Sequence, residues 1–202
     1  MCADIDLALR RFKPGEDDFS GFDCGDSDLN EFIRDDAPRL EQHDVTRVYV
    51  AANGSTGLGY VAIVADTVVL KTPERKKLGL DQPKNVPALK IGRLAVDVSL
   101  QNKGVGEQLI KVAYQQALVI RRPVGCRLLT VDAYAAKVAW YEKRGFVKNK
   151  GAPEEDKCPL CAKPLTLCPH CQQPFPDEAP HTVSMRLDLK AEPAPAWAIV
   201  TA

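Results

Sequence analysis

The apolar positions of the chain change period several times, and each change marks an element. From Ile5 to Leu9 they alternate with polar neighbours, which predicts a short strand closed by Pro14-Gly15. Leu29, Phe32, Ile33 and Ala37 then fall at helical spacing behind Asp26 or Ser27, either of which can cap a helix by accepting from its free N–H groups. Val45 to Ala52 and Gly57 to Leu70 are β-rich runs joined by Asn53-Gly54-Ser55-Thr56, a hairpin signal. Ala88 to Asp97 predicts a central strand. Val105 to Ile120 predicts a helix with Val105, Leu109, Val112, Ala113, Ala117 and Ile120 inward and Glu107, Lys111 and Gln115 outward. Cys126 to Asp132 reads as a buried strand, about Ala135 to Lys143 as a helix stopped by Gly145, and Val183 to Leu189 as the last strand. The order predicts an α/β fold with a mixed, partly parallel sheet flanked by helices. Ligands of such sheets collect at the carboxyl ends of the strands, where Val96, Gly104 and Tyr141 converge.

Composition narrows the partners. The 202 residues, 45% hydrophobic, suffice for one good-sized core, and 27 acidic against 27 basic side chains leave no net charge to draw nucleic acid. Any such binding must rest on a local patch. The one clear patch runs from Lys71 to Lys90, where Lys71, Arg75, Lys76, Lys77, Lys84 and Lys90 outnumber Glu74 and Asp81; it is expected as a loop, either solvated or phosphate-binding. No apolar run approaches the ~20 residues of a membrane span, and Asp4 and Asp6 stand where a basic leader would be, so a cytoplasmic protein without membrane association is expected. In a reducing compartment the seven cysteines are thiols or metal ligands.

Candidate chemistry lies between the central strand and the helix that follows it. Gln101-Asn102-Lys103-Gly104-Val105-Gly106 forms a polar turn in which two glycines let backbone N–H groups approach a ligand, and the helix start adds partial positive charge there. Glycines so spaced also occur in ordinary strand-to-helix loops, and neither a P-loop nor the dinucleotide fingerprint is present. Gln101, Gly104 and Gly106 do match Q/R-x-x-G-x-G/A. Together with Arg93-Leu94-Ala95-Val96-Asp97 and Trp140-Tyr141-Glu142-Lys143-Arg144-Gly145-Phe146, they make the chain from about residue 4 to 190 resemble the GCN5-related N-acetyltransferases, GNAT. Phe22-Asp23-Cys24-Gly25, followed by Leu29-Asn30 and Phe32, resembles the branch of toxins that acetylate aminoacyl-tRNA.

The resemblance implies a GNAT fold and acetyl-CoA as cosubstrate. Leu94, Ala95 and Val96 would lie along the pantetheine arm, and Gln101, Asn102, Lys103, Gly104, Val105 and Gly106 around the diphosphate. Tyr141 would be the general acid, since a phenol near ~10 is protonated at pH 7 and close to a thiol in acidity; the plainer reading is a packed aromatic beside Trp140. No general base is identified, Asp97 and Glu31 being named without support. An α-amino acceptor near ~7.7–8.0 needs less help than a lysine, which suits aminoacyl-tRNA. An antitoxin and a homodimer are further expected partners. A small-molecule or protein amine as acceptor, and a non-catalytic acetyl-CoA-binding module, remain as alternatives.

Residues 151–180 interrupt this pattern. Cys158-Pro159-Leu160-Cys161 and Cys168-Pro169-His170-Cys171 are two C-P-x-C units at the spacing of a tetrahedral zinc knuckle, with all four positions filled and none open for catalysis. The expected organisation is a GNAT domain over 1–150 and 181–190, a zinc knuckle inserted at 151–180 before the last strand, and a Pro/Ala-rich tail at 191–202. The tail is expected to fray, with Trp197, Ile199 and Val200 available to a partner.

Overall fold

The computed structural model of the chain describes residues 7–82, 84–149, 182–191 and 195–198. The strands β1 (Ala8–Arg11), β2 (Arg47–Asn53), β3 (Thr56–Val69), β4 (Asn85–Val96), β5 (Leu128–Tyr134), β6 (Val147–Lys148) and β7 (Thr182–Asp188) form one sheet in the order β1-β2-β3-β4-β5-β7-β6. β4 and β5 are parallel and the other neighbours antiparallel, as a mixed sheet requires. β2 and β3 meet in a tight hairpin in which Asn53 pairs with Thr56 and Gly54 takes φ +60, the conformation its lack of Cβ permits.

Helix α4 (Val105–Arg121) covers one face of the sheet. It buries Val105, Leu109, Ile110, Ala113, Tyr114 and Ala117 against Val61, Ile91, Leu129, Val131 and Met185. Full burial of a Leu or Ile is worth about 1.5–3 kcal/mol, so this face anchors the helix. The inward set differs from the sequence expectation: Ile110 and Tyr114 are buried, while Val112 and Ile120 are only half-buried. The stripe is broad because the sheet reaches both sides of the helix, and Trp197 covers Tyr114.

The opposite face carries the N-terminal helices. Asp26 caps α1 (Ser27–Glu31) by accepting from the Leu29 N–H at 3.2 Å. The helix then widens into a π turn over Phe32–Asp36, where the Ala37 N–H reaches the Phe32 carbonyl, and resumes as α2 (Ala37–Gln42). Pro38 explains the widening: it has no N–H for the usual bond four residues back and its ring crowds that turn. Tyr60 is the hub of this side, ringed by Phe19, Phe22 and Phe32, with its hydroxyl donating to the Leu29 carbonyl at 2.7 Å. Gly57 makes room for the Phe19 ring, which would lie 2.2 Å from a Cβ there.

Two expectations require correction. The basic run is no simple loop: Thr72–Lys77 form helix α3, and Arg75 is buried, donating to the Leu70 carbonyl at 3.0 Å. Its neighbour Glu74, also buried, accepts from Arg186 of β7 at 2.6 Å. Lys71, Lys76, Lys77 and Lys84 remain on the surface. The tail does not fray at Trp197, whose indole N–H donates to the Arg144 carbonyl at 2.9 Å. Cys158, Cys161, Cys168 and Cys171, and with them the expected knuckle, lie outside the described residues, as do Ile199 and Val200.

Candidate active site

The site begins where two strands part. β4 and β5 pair from Ala88–Leu128 to Ile91–Val131, yet β4 runs on to Val96 and β5 to Tyr134. The cause lies on β4 itself, where Gly92 is an extra residue in the ladder to β3: Ile63 faces Ile91 and Ala62 faces Arg93. Such a bulge bends and twists its strand. Beyond it the Asp97 N–H donates to Leu58 at 3.0 Å. In an antiparallel ladder the bonding alternates, so Arg93, Ala95 and Asp97 bond to β3 while Leu94 and Val96 turn their N–H and C=O groups to the open side. Ala95 itself packs its side chain into the N-terminal core. An extended ligand thus finds the N–H groups of Leu94 and Val96 turned to this open edge, while the Val96 carbonyl accepts from the Gln101 side chain at 3.1 Å.

The first part of the loop after β4 is held by side chains and by the N-terminal stretch. Asp97 is buried; its carboxylate accepts from the Ser99 N–H at 2.9 Å, the Ser99 hydroxyl at 2.6 Å and the Asp23 N–H at 3.1 Å. Burial alone would raise its pKa, but these donors outweigh it and hold the carboxyl below the usual range. It is an anchor with its oxygens occupied, which removes it as a general base. The Val98 N–H donates to the Asp23 carbonyl at 2.8 Å. The Gln101 amide donates to the carbonyls of Cys24 at 2.9 Å and Val96 at 3.1 Å. The Phe22–Gly25 stretch is therefore the back wall of the loop, a role that nothing in its own spacing reveals.

Asn102 at φ +62 and Gly104 at φ +86 turn the chain into α4. Lys103 spends its N–H on the Leu100 carbonyl at 3.3 Å, whereas those of Asn102, Gly104, Val105 and Gly106 have no acceptor among the described residues. Four free donors at the positive end of a 17-residue helix suit a diphosphate. Nothing lies within 4 Å of a Cβ built on Gly104, so the left-handed backbone, and not crowding, calls for glycine there.

Tyr141 lies in α5 (Val138–Glu142), 6% exposed, with Trp140 edge-on at 4.9 Å and Phe146 at 5.3 Å. Past the helix, Gly145 at φ +83 donates to the Glu142 carbonyl at 2.9 Å and Phe146 to the Tyr141 carbonyl at 3.2 Å. This paired closure, with an apolar contact across it, is a Schellman turn and fixes the tyrosine from behind. The phenol hydroxyl has no hydrogen-bond partner among the described residues. Burial pushes its pKa well above the ordinary tyrosine value, opposed in part by the Arg144 cation. The expected match to thiol acidity does not hold for this buried phenol.

The described residues contain no group of three or more His, Cys, Asp or Glu placed to hold a metal; the described cysteines Cys24 and Cys126 are free thiols. No described helix is long and apolar enough to cross a membrane.

The Acetyltransferase (GNAT) domain family matches residues 44–148. The tRNA-acetylating toxin of Mycobacterium tuberculosis strain H37Rv is 26% identical over 118 residues, covering 58% of this chain and 70% of its own. A probable toxin TacT of Sinorhizobium fredii is 26% identical over 144 residues, covering 66% and 80%. AtaT complexed with acetyl-methionyl-tRNAfMet superposes with a TM-score of 0.66 at 27% identity, over 73% of this chain and 90% of that one. AtaTR bound with AcCoA, at 22% identity, shares the fold with a TM-score of 0.67 over 92% and 95%. With the splayed strand, the cradle and more than half of the chain in agreement, the protein belongs to the GNAT acetyltransferase family and is an acyl-CoA-dependent N-acetyltransferase.

Proposed function

We propose that the protein transfers the acetyl group of acetyl-CoA to the α-amino group of an aminoacyl-tRNA, as the toxin of a toxin–antitoxin pair. The observation that carries the reaction is the open edge of β4 at Leu94 and Val96, opening beside four unspent N–H groups. Acetyl-CoA supplies an activated thioester. Asn102, Gly104, Val105 and Gly106 offer backbone N–H groups to its diphosphate, the positions of Leu94, Ala95 and Val96 receive the pantetheine arm as an added strand, and the Val96 N–H polarises the carbonyl. Gln101 and Lys103 shape the cradle. The Gln101 side-chain amide and the Lys103 backbone N–H are committed to it.

Tyr141 gives a hydrogen bond to the sulfur as it departs. Because burial raises its pKa, the phenol stays protonated at pH 7; because it is then a weaker acid than a thiol of about 8.5, it passes its proton to the sulfur only as the proton shed by the attacking amine returns to the phenol, so that amide and free thiol form and Tyr141 is restored. A tyrosine-to-phenylalanine variant of AtaT adopts the same fold at 27% identity, with a TM-score of 0.61, consistent with a tyrosine whose removal spares structure. The acceptor is inferred from the relatives that acetylate tRNA and from its chemistry: an α-amino group is partly neutral at pH 7–8, so no carboxylate base is needed. AtaT is known bound to the C-terminus of its antitoxin AtaR, which supports an antitoxin partner here.

The spacing of Cys158, Cys161, Cys168 and Cys171 supports a structural zinc knuckle over 151–180 between the two parts of the GNAT domain. The residues flanking that segment meet at the open end of the sheet: Thr182 pairs with Tyr134, and the Asn149 N–H donates to Ser184 at 2.9 Å.

Incubation with labelled acetyl-CoA and a mixture of charged tRNA, free amino acids and polyamines tests the acceptor. Label is expected on the aminoacyl end of tRNA. Label on a free amine alone would favour the small-molecule reading.

A further inference from the structure

Arg144 lies three residues beyond Tyr141 and spends its side chain on the cofactor side of the site. Its Nη2 meets Glu107 Oε2 at 2.6 Å, in the first turn of α4 and next to Gly106 of the cradle. Its Nη1 donates to the Trp140 carbonyl at 2.9 Å, and the guanidinium lies 3.7 Å from the centroid of the Trp140 ring. That ring in turn reaches within 3.5 Å of where a Cβ on Gly106 would stand. The Arg144 side chain is 15% exposed, and its Nε is buried without a partner among the described residues. A surface arginine serving only solubility would not be stacked, forked and partly unsatisfied in this way. From behind, the tail holds the same residue through the Trp197 indole, which donates to the Arg144 carbonyl while its ring packs edge-on against Tyr114 of α4.

We propose that Arg144 is a positioning residue for acetyl transfer, locking the helix that carries Tyr141 to the first turn of α4, with Trp197 of the C-terminal tail as its brace. The proposal rests on the reading in which the cradle holds acetyl-CoA and Tyr141 meets the departing sulfur. Its physical basis is distance: α5 is barely more than one turn long, so its own hydrogen bonds cannot fix its azimuth, and displacement of about 1 Å at a reacting group costs up to about a hundredfold in rate.

The test uses the full chain with acetyl-CoA and charged tRNA. Arg144→Met keeps the stem and removes fork and charge; kcat is expected to fall about tenfold while acetyl-CoA affinity stays within about twofold. Glu107→Gln should lose less, and the Glu107→Gln, Arg144→Met double variant no more than Arg144→Met alone, because both cut one strut. Trp197→Phe keeps the ring and removes the indole N–H, giving a smaller loss of kcat even if Arg144→Met folds poorly. Wild-type kcat in Arg144→Met, losses that multiply in the double variant, or losses matched by the unfolded fraction would overturn the strut. Tyr141→Phe in the same assay separates the two levels: full activity there removes the underlying reading, whereas full activity in Arg144→Met alone removes only the positioning role.

Discussion

The Phe146 N–H donates to the Tyr141 carbonyl at 3.2 Å while the Phe146 ring meets the phenol edge-on, with centroids 5.3 Å apart. The turn after α5 is thus what aims the tyrosine, and the left-handed Gly145 makes the turn possible. In Gly145→Ala the backbone is strained by about 1–2 kcal/mol, and the new Cβ would stand 3.3 Å from Leu187 Cδ1. Thermal unfolding should show a loss of that size, with a fall in transfer rate larger than the unfolded fraction explains. A variant as stable and active as wild type would mean that the turn does not hold the tyrosine.

Gly104 separates strain from ligand repulsion. Gly104→Ala and Gly104→Glu both pay for φ +86, about 1 kcal/mol, and neither side chain starts within 4 Å of another group. Only Glu brings a negative charge to the four free N–H groups. Calorimetry should show acetyl-CoA binding weaker by at least about tenfold, roughly 1.4 kcal/mol, in Gly104→Glu than in Gly104→Ala. Equal affinities would place the diphosphate elsewhere.

Asp97 links the loop to the N-terminal stretch, and its pKa is lowered in the folded protein. A lowered pKa gives stability that is present above the unfolded value of about 3.9 and is lost as pH falls through the folded value. Asp97→Ala should therefore cost about 1–3 kcal/mol at pH 7, through the unmet donors of Asp23 and Ser99, and less as the carboxyl becomes protonated in acid. Denaturant titrations at pH 7 and in acid measure the difference; a cost independent of pH would mean that the anchor does not depend on charge.

Metal analysis of protein purified without chelator is expected to find one zinc per chain. Cys158→Ser with Cys161→Ser should abolish it and weaken acceptor use, with acetyl-CoA affinity kept, because metal binding supplies the folding free energy of so small a unit. Loss of acetyl-CoA binding together with the metal would contradict the division between domain and insertion.

Much of this site could be read from the chain because its determinants are local. Gly104 and Gly106 stand where a strand gives way to a helix, and Asn53 to Thr56 close a hairpin within four residues. What escaped depends on distant partners. Arg75 and Glu74 sit in a run that reads as solvated, yet the acid meets Arg186, 112 residues away. The clamp of Asp23 and Cys24 on Asp97 and Gln101 spans more than 70 residues. The helix that carries Tyr141, stopped by Gly145, was legible in its own stretch. The raised pKa of Tyr141 was not, since that follows from how Trp140, Phe146 and the sheet enclose it.

The most direct test of the central claim is single-turnover transfer by Tyr141→Phe at saturating acetyl-CoA and charged tRNA. Phenylalanine keeps the packing against Trp140 and Phe146 and removes only the hydroxyl. Acetyl-CoA affinity and fold are expected to be unchanged and the rate to fall on the order of 10²-fold. A rate equal to wild type, with fold and affinity intact, would show that Tyr141 is a packing residue and that the proton reaches the sulfur from elsewhere.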